Sequence, residues 1–89
     1  MIREKIEIIN KLGLHARAAS KLVNLAGQFS SEIYLDNQGN RVNAKSIMGV
    51  MMLAASKGTF LTLEVEGGDE QACAEAIRVL FNDRFGEAE

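Results

Sequence analysis

The spacing of the apolar residues changes repeatedly along this chain of 89 residues, and these changes restrict the folds that it can adopt. Near the N-terminus, Ile2, Ile6 and Ile8 alternate with charged residues, which is typical of a half-buried strand over residues 2–9. From Ala16 to Phe29 the apolar residues recur every three or four positions, which indicates a helix. The same reasoning predicts strands over residues 32–36, 41–44 and 60–66, a short helix from Ser46 through Ala54 and a last helix from about Glu70 to Arg84.

The predicted element order is therefore βαββαβα. The segment Asn37–Asn40 predicts a tight turn between the second and third strands, because glycine and asparagine tolerate positive φ. Ser46 and Asp69 are natural N-cap residues for the second and third helices. One arrangement consistent with a right-handed crossover inserts strand four between strands one and two. We therefore predict an α+β fold, a four-stranded antiparallel sheet with three helices on one face, formed by a single domain over residues 1–89.

The composition argues against several classes of protein. Cys73 is the only cysteine, which excludes an internal disulfide and a cysteine-based zinc site, and with one histidine no metal centre is expected. No apolar run approaches the ~18 residues of a membrane span. The N-terminal segment has no apolar core of the kind found in signal peptides. We expect a cytoplasmic protein that needs no cofactor.

Charge is distributed unevenly along the chain. Residues 8–59 contain six basic and two acidic side chains, whereas residues 60–89 contain two basic and eight acidic ones. The basic part includes the single histidine, His15, which favours an acidic protein partner or a phosphate at that face. The isoelectric point of about 5.4 and the lack of interleaved basic and aromatic residues argue against nucleic acid as a partner.

His15 lies between a turn at Gly13 and the start of the first predicted helix. The first backbone N–H groups of a helix, here those of Ala16, Arg17 and Ala18, have no partner within the helix and bind anions. A neutral imidazole is a nucleophile near pH 7, and the Arg17 guanidinium can pair with a phosphate. This combination could accept and hold a phosphoryl group. The competing interpretation is a structural or merely exposed histidine beside a solvated arginine.

Two segments resemble a known family. The string KLGLHARAASKL, residues 11–22, resembles the active-site segment of HPr, the histidine-containing phosphocarrier of the bacterial phosphoenolpyruvate-dependent phosphotransferase system. The string NAKSIMGVMMLAASKG, residues 43–58, resembles the regulatory-serine segment of the same family. The resemblance implies an open-faced β-sandwich. It also implies a carrier without independent turnover, which accepts a phosphoryl group from enzyme I on Nδ1 of His15 and passes it to enzyme IIA domains for sugar transport.

The resemblance also assigns roles to individual residues. Arg17 and the backbone of residues 16–18 would stabilise the phosphate, and Ser46 would be the target of the HPr kinase/phosphorylase. Five large apolar residues cannot all face one sheet from a helix of about two turns, so part of the second helix should be exposed. The residues expected to dock partners are Lys21, Ile47, Met48 and Met51. Ala18 stands where the family usually has proline, so this chain keeps a backbone N–H there.

Three alternatives remain open at this stage. The C-terminal string VLFNDRFGEAE resembles the nitrogen-regulatory branch of the family rather than the sugar branch. A regulatory binding module could act through phosphorylated Ser46 alone, although His15 together with Arg17 argues against that as the only role. A small α+β domain that binds nucleic acid or an effector would share the topology, but the charge disfavours it. We expect a monomer.

Overall fold

The computed structural model describes residues 1–89. Its elements follow the predicted order, with a short 3-10 helix added at the end. They are β1 (Ile2–Glu7), α1 (Ala16–Ala26), β2 (Glu32–Asn37), β3 (Asn40–Asn43), α2 (Ile47–Met52), β4 (Phe60–Glu66), α3 (Glu70–Asn82) and the 3-10 helix (Arg84–Gly86).

The four strands form one antiparallel sheet in the order β1-β4-β2-β3. The predicted insertion of β4 between β1 and β2 is therefore confirmed. β1 lies at one edge of the sheet, so β4 is its only neighbour. In this pair Ile2 lies opposite Val65 and Glu7 opposite Phe60. Alternate residues of each strand turn towards the helices, and the fully buried Leu35, Leu61 and Leu63 contribute to a core that the three helices cover from one side.

The helices end earlier than the apolar spacing suggested. The pattern of α1 runs to Phe29, but the helix stops at Ala26. Beyond it the N–H groups of Gln28 and Phe29 donate to carbonyls three residues back, at 3.0 and 3.2 Å, so the chain leaves α1 through a tighter turn. The last helix likewise stops at Asn82, and the residues after it form the separate 3-10 helix.

The turn chemistry of the sequence is borne out at two places. Gln38 and Gly39 have φ values of +52° and +94°, which is the geometry of a two-residue hairpin turn. Ser46 occupies the N-cap of α2, where its Oγ accepts a hydrogen bond from the N–H of Gly49 at 3.1 Å. Both short elements, β3 and α2, are thus fixed by local interactions.

Asp69 does not cap α3 in the predicted way. It lies at the N-cap position, but its carboxylate makes no capping bond and instead accepts from the loop before β2. The backbone N–H groups of Ser30 and Ser31 donate to it at 2.9 and 3.0 Å, and both hydroxyls also donate to it. Asp69 therefore joins the start of α3 to the loop that follows α1.

These contacts give the stability of the domain a defined pH dependence. Hydrogen bonds, led by that from the Ser31 hydroxyl, hold the pKa of Asp69 below its usual value. A carboxyl group whose pKa is lower in the folded state stabilises the fold above its unfolded pKa, and this contribution is lost as the pH falls through the folded value. Asp69→Asn should therefore lower the melting temperature by several degrees at pH 7, with a difference that narrows below about pH 4.

Thermal denaturation followed by circular dichroism between pH 2 and pH 8 measures this effect. Asp83→Asn is the matched control, because Asp83 is exposed and its carboxylate accepts no hydrogen bond. An equal change for both variants at every pH would contradict the role assigned to Asp69.

Candidate functional site

His15 lies at the position that the sequence indicates, directly before α1. Its backbone is extended, with φ −76° and ψ 177°, and its carbonyl accepts the first helical hydrogen bond from Ala19 N–H at 2.8 Å. The His15 side chain makes no capping bond to the helix. The first backbone N–H groups of α1 therefore have no partner within the helix. Nδ1 of the adjacent imidazole ring does not accept a hydrogen bond from any of them.

The loop before His15 is held tightly against the segment between α2 and β4. Gly13 has φ +68°, and a Cβ at this position would lie 2.5 Å from the carbonyl oxygen of Ala55. Leu14 N–H donates to that same oxygen at 2.9 Å. Only glycine fits here, because both the backbone conformation and the close approach exclude a side chain. The position of His15 is thus fixed by backbone contacts.

The C-terminal segment folds back over α1. Phe85 is buried and packs on Phe81, with ring centroids 4.8 Å apart. Lys21, which the family resemblance assigns to partner docking, donates from Nζ to the carbonyl oxygen of Phe85 at 2.7 Å. The segment after the 3-10 helix, residues 87–89, is thereby directed past the N-terminus of α1; we call it the C-terminal tail.

The tail brings a carboxylate to the histidine. Glu87 Oε2 makes a hydrogen bond with Nε2 of His15. Its other oxygen, Oε1, accepts from Nδ2 of Asn10 at 3.0 Å, and the same amide nitrogen donates to the carbonyl of Gly13 at 2.8 Å. The Asn10 bond, followed by the His15 bond, lowers the pKa of Glu87, so this carboxylate is ionised at neutral pH.

His15 opens onto a cleft of about 620 Å³, whose lining includes Leu12, Ala16, Arg17, Glu87 and Ala88. The Arg17 guanidinium is exposed and forms no hydrogen bond or ion pair with the protein, so it is available to an anion in the cleft. Ala18 has no exposed surface. The helix N–H groups that border the cleft are therefore those of Ala16 and Arg17.

The charge of this region differs from what its position in the sequence suggested. Lys11 and Arg17 lie near His15, as expected, but Glu87 and Glu89 come from the acidic C-terminal third of the chain. Lys11 contacts Glu89 both through its backbone N–H and through Nζ, 3.9 Å from Oε2. The site is therefore of mixed charge rather than uniformly basic.

The second helix presents the expected apolar surface. Val50 and Leu53 are buried, whereas Met48 and Met52 are about 70% exposed. We call the exposed side chains the α2 patch; they are Ile47, Met48, Met51 and Met52. Ser46 is exposed at the start of the same helix, so its hydroxyl is accessible to a modifying enzyme.

Three further features concern metal binding, thiol reactivity and membrane spans. No cluster of metal-ligating side chains occurs in the chain. Cys73 is buried, which raises the pKa of its thiol to about 11 and makes it a poor nucleophile. None of the helices combines the length and the hydrophobicity that crossing a membrane would require.

Sequence reasoning missed Asn10 and Glu87. Glu87 is 72 residues from His15 along the chain, and one glutamate among several near the C-terminus carries no signal of its contact. Asn10 is fully buried, and its amide nitrogen donates to Glu87 and to the carbonyl of Gly13. Its burial, however, is visible only in the folded structure.

Comparisons with known proteins give the family. Residues 2–83 match the family model described as the PTS HPr component phosphorylation site. The phosphocarrier protein HPr of Neisseria meningitidis is 54% identical over 89 residues, covering all of both chains. A solved HPr from Thermoanaerobacter tengcongensis is 45% identical, and the match covers the whole of both chains with a TM-score of 0.96. A solved HPr dimer from the same organism is 46% identical, and that match covers 98% of this chain and 100% of the other with a TM-score of 0.79. The chain belongs to the HPr family of phosphocarrier proteins of the phosphotransferase system.

Proposed function

We propose that this protein accepts a phosphoryl group on Nδ1 of His15 from enzyme I and passes it to an enzyme IIA domain of the sugar phosphotransferase system. The observation that carries the proposal is the position of His15. Its ring borders an open cleft at the N-terminus of α1, and Nε2 is already engaged by Glu87 while Nδ1 has no partner. The family to which the chain belongs supports the same chemistry.

The surroundings of His15 suit a group that must be both held and released. The N–H groups of Ala16 and Arg17 and the positive end of the α1 dipole favour the phosphate dianion. The Arg17 guanidinium can add a charge-assisted hydrogen bond. Because the cleft is open and Arg17 is exposed, a partner protein can reach the phosphorus from outside.

The direct test is incubation of the protein with phosphoenolpyruvate and enzyme I, followed by intact-mass measurement. We expect one added phosphoryl group, which is lost in acid, as phosphohistidine is, and retained in alkali. Omission of enzyme I is the control and should give no modification. A protein that takes up no phosphate, or takes it up in an acid-stable form, would refute the proposal. Addition of purified IIA domains of the sugar and nitrogen branches then shows which of them removes the phosphate.

Partner docking is proposed for the surface beside the site, formed by the α2 patch together with Lys21. Flexible methionine side chains adapt to more than one partner, which suits a carrier that must meet both a donor and an acceptor. The patch is exposed, and Ser46 adjoins it at the helix start. Phosphorylation of Ser46 by an HPr kinase/phosphorylase would then act on docking.

We propose that the protein is a monomer, which leaves the α2 patch free to contact partners. Light scattering measures the molar mass in solution and so distinguishes a monomer from a dimer such as the one solved for the Thermoanaerobacter tengcongensis relative.

A negative charge at Ser46 should slow phosphorylation of His15 without unfolding the domain. Aspartate at an N-cap still accepts a backbone hydrogen bond and interacts favourably with the helix dipole, so Ser46→Asp should keep its melting temperature within a few degrees of wild type. Docking onto an acidic enzyme I should weaken. The rate of enzyme I-dependent phosphorylation should fall severalfold at low salt and recover as salt screens the charge.

Ser46→Asn is the matched control, because asparagine caps a helix as well as aspartate does and carries no charge. The measurement is the initial rate of phosphorylation of His15 at two ionic strengths. Equal rates for both variants at low salt would leave Ser46 with a capping role only.

A further inference from the structure

We propose that Glu87 is a positioning residue for phosphoryl transfer: its carboxylate keeps the proton of the neutral His15 ring on Nε2, so that Nδ1 carries the nucleophilic lone pair. This inference deepens the function proposed above and rests on it. It extends the site from the loop and helix that carry His15 to the C-terminal tail.

The first support is the way in which Glu87 is held. Its carboxylate has a separate partner on each oxygen, the His15 ring on one and the Asn10 amide on the other. Asn10 is fully buried and is fixed in turn by its bond to the carbonyl of Gly13. In an exposed ion pair, the entropy lost by ordering two long side chains offsets much of the electrostatic attraction. The Glu87 carboxylate is already ordered by its bond to Asn10, so its contact with His15 costs less side-chain entropy.

The second support is the anchoring of the tail itself. The buried ring of Phe85 and the bond from Lys21 to its carbonyl fix the chain two residues before Glu87. The side chains of Glu87 and His15 are only 17% and 28% exposed, so water competes weakly for their contact. The histidine is thus held on its Nε2 side by a preorganised acceptor.

The third support is the chemistry of the imidazole ring. A neutral histidine has one N–H donor and one acceptor nitrogen, and the bond made by one nitrogen decides the state of the other. An ionised carboxylate can only accept, so Nε2 must be the protonated nitrogen. Nδ1, which makes no hydrogen bond to the helix, then carries the lone pair.

In the transfer, this lone pair attacks the phosphorus of the phosphohistidine on enzyme I. A P–N bond forms to Nδ1 while the donor's P–N bond breaks, and the departing imidazole keeps the electron pair of that bond. The Nε2 proton stays on the His15 ring, which gains positive charge as Nδ1 shares its lone pair. Glu87 faces that proton and stabilises the developing charge. Onward transfer reverses these steps, with His15 as the departing imidazole.

The single histidine makes a spectroscopic test possible. In protein labelled with ¹⁵N-histidine, only one ring contributes signals, and two-bond proton–nitrogen correlations at alkaline pH report which nitrogen is protonated. We expect the Nε2–H form to dominate in the wild type and the Nδ1–H form to gain population in Glu87→Ala. Glu66→Ala is the matched control, since it removes the same charge from an exposed side chain at the end of β4 that does not line the His15 cleft.

The functional readout is the initial rate of phosphorylation by enzyme I under subsaturating conditions. Glu87→Ala should be slower than Glu66→Ala by about fivefold, the ratio expected for about 1 kcal/mol of transition-state stabilisation. Circular dichroism shows whether both variants are folded. Unchanged tautomer populations in Glu87→Ala would overturn the positioning role, and a changed tautomer with equal rates would overturn its part in transfer. Failure of the wild type to accept phosphate would instead refute the function itself, and the tautomer measurement would still decide the role of Glu87.

Discussion

Replacing His15 with alanine should abolish phosphoryl uptake from enzyme I while leaving the domain folded. No other histidine is present, and the one cysteine is buried with a raised pKa, so no second side chain offers a comparable nucleophile. The ring makes no capping bond to α1 and contributes one contact to Glu87. Its loss should change the free energy of unfolding by no more than about 1 kcal/mol.

The comparison is made by intact-mass measurement after incubation with phosphoenolpyruvate and enzyme I, beside urea denaturation of both proteins. The informative pair of results is no phosphate on the variant and unfolding midpoints that nearly coincide. Acid-labile phosphate on His15→Ala would disprove the assignment of the acceptor. A much lower urea midpoint for His15→Ala than for wild type would show instead that the imidazole ring is needed for the fold.

Phe85→Ala should give the largest loss of stability among the substitutions considered. Phe85 is 1% exposed and packs on Phe81 at the end of α3, and truncating a buried phenylalanine costs about 3–5 kcal/mol. For a domain of this size that is a large share of a total stability of roughly 5–10 kcal/mol. The anchor of the C-terminal tail would be lost as well, so the Glu87–His15 contact should weaken.

Phe60→Ala is the matched control, because the same side chain is removed from a position at the start of β4 that is 59% exposed. We expect a change of no more than about 1 kcal/mol there. Urea denaturation gives both values, and the tautomer signals of His15 report the tail. Equal destabilisation by the two substitutions would mean that Phe85 does not anchor the end of the chain.

Much of the fold follows from local patterns in the sequence. The bounds of β4 and the capping of α2 by Ser46 were predicted correctly, because strand alternation and N-cap chemistry depend on a few neighbouring residues. Asp69 shows the limit of such reasoning. It lies at the N-cap, as expected, but two serines brought close by the tertiary fold compete for its carboxylate. No local pattern reports that competition.

The candidate site likewise combines residues that local sequence patterns predict with residues that only the tertiary fold brings together. His15 and Arg17 were predicted because a helix start and its side chains are adjacent in the sequence. Glu87 and Asn10 were not, because their contact depends on where Phe85 directs the end of the chain. The acidic C-terminal third looked separate from the basic region around His15, yet the fold places two of its glutamates there.

The sheet order also has a consequence for how the protein emerges from the ribosome. β1 pairs only with β4, and its last residue, Glu7, is 53 positions before its partner Phe60. At translation rates of about 5–20 residues per second, the first strand waits roughly 3–10 seconds for its only neighbour to be synthesised. Glu87 is added later still. A nascent chain therefore cannot complete the sheet until β4 has been synthesised through Glu66, and the histidine acquires its carboxylate partner only after Glu87 has followed.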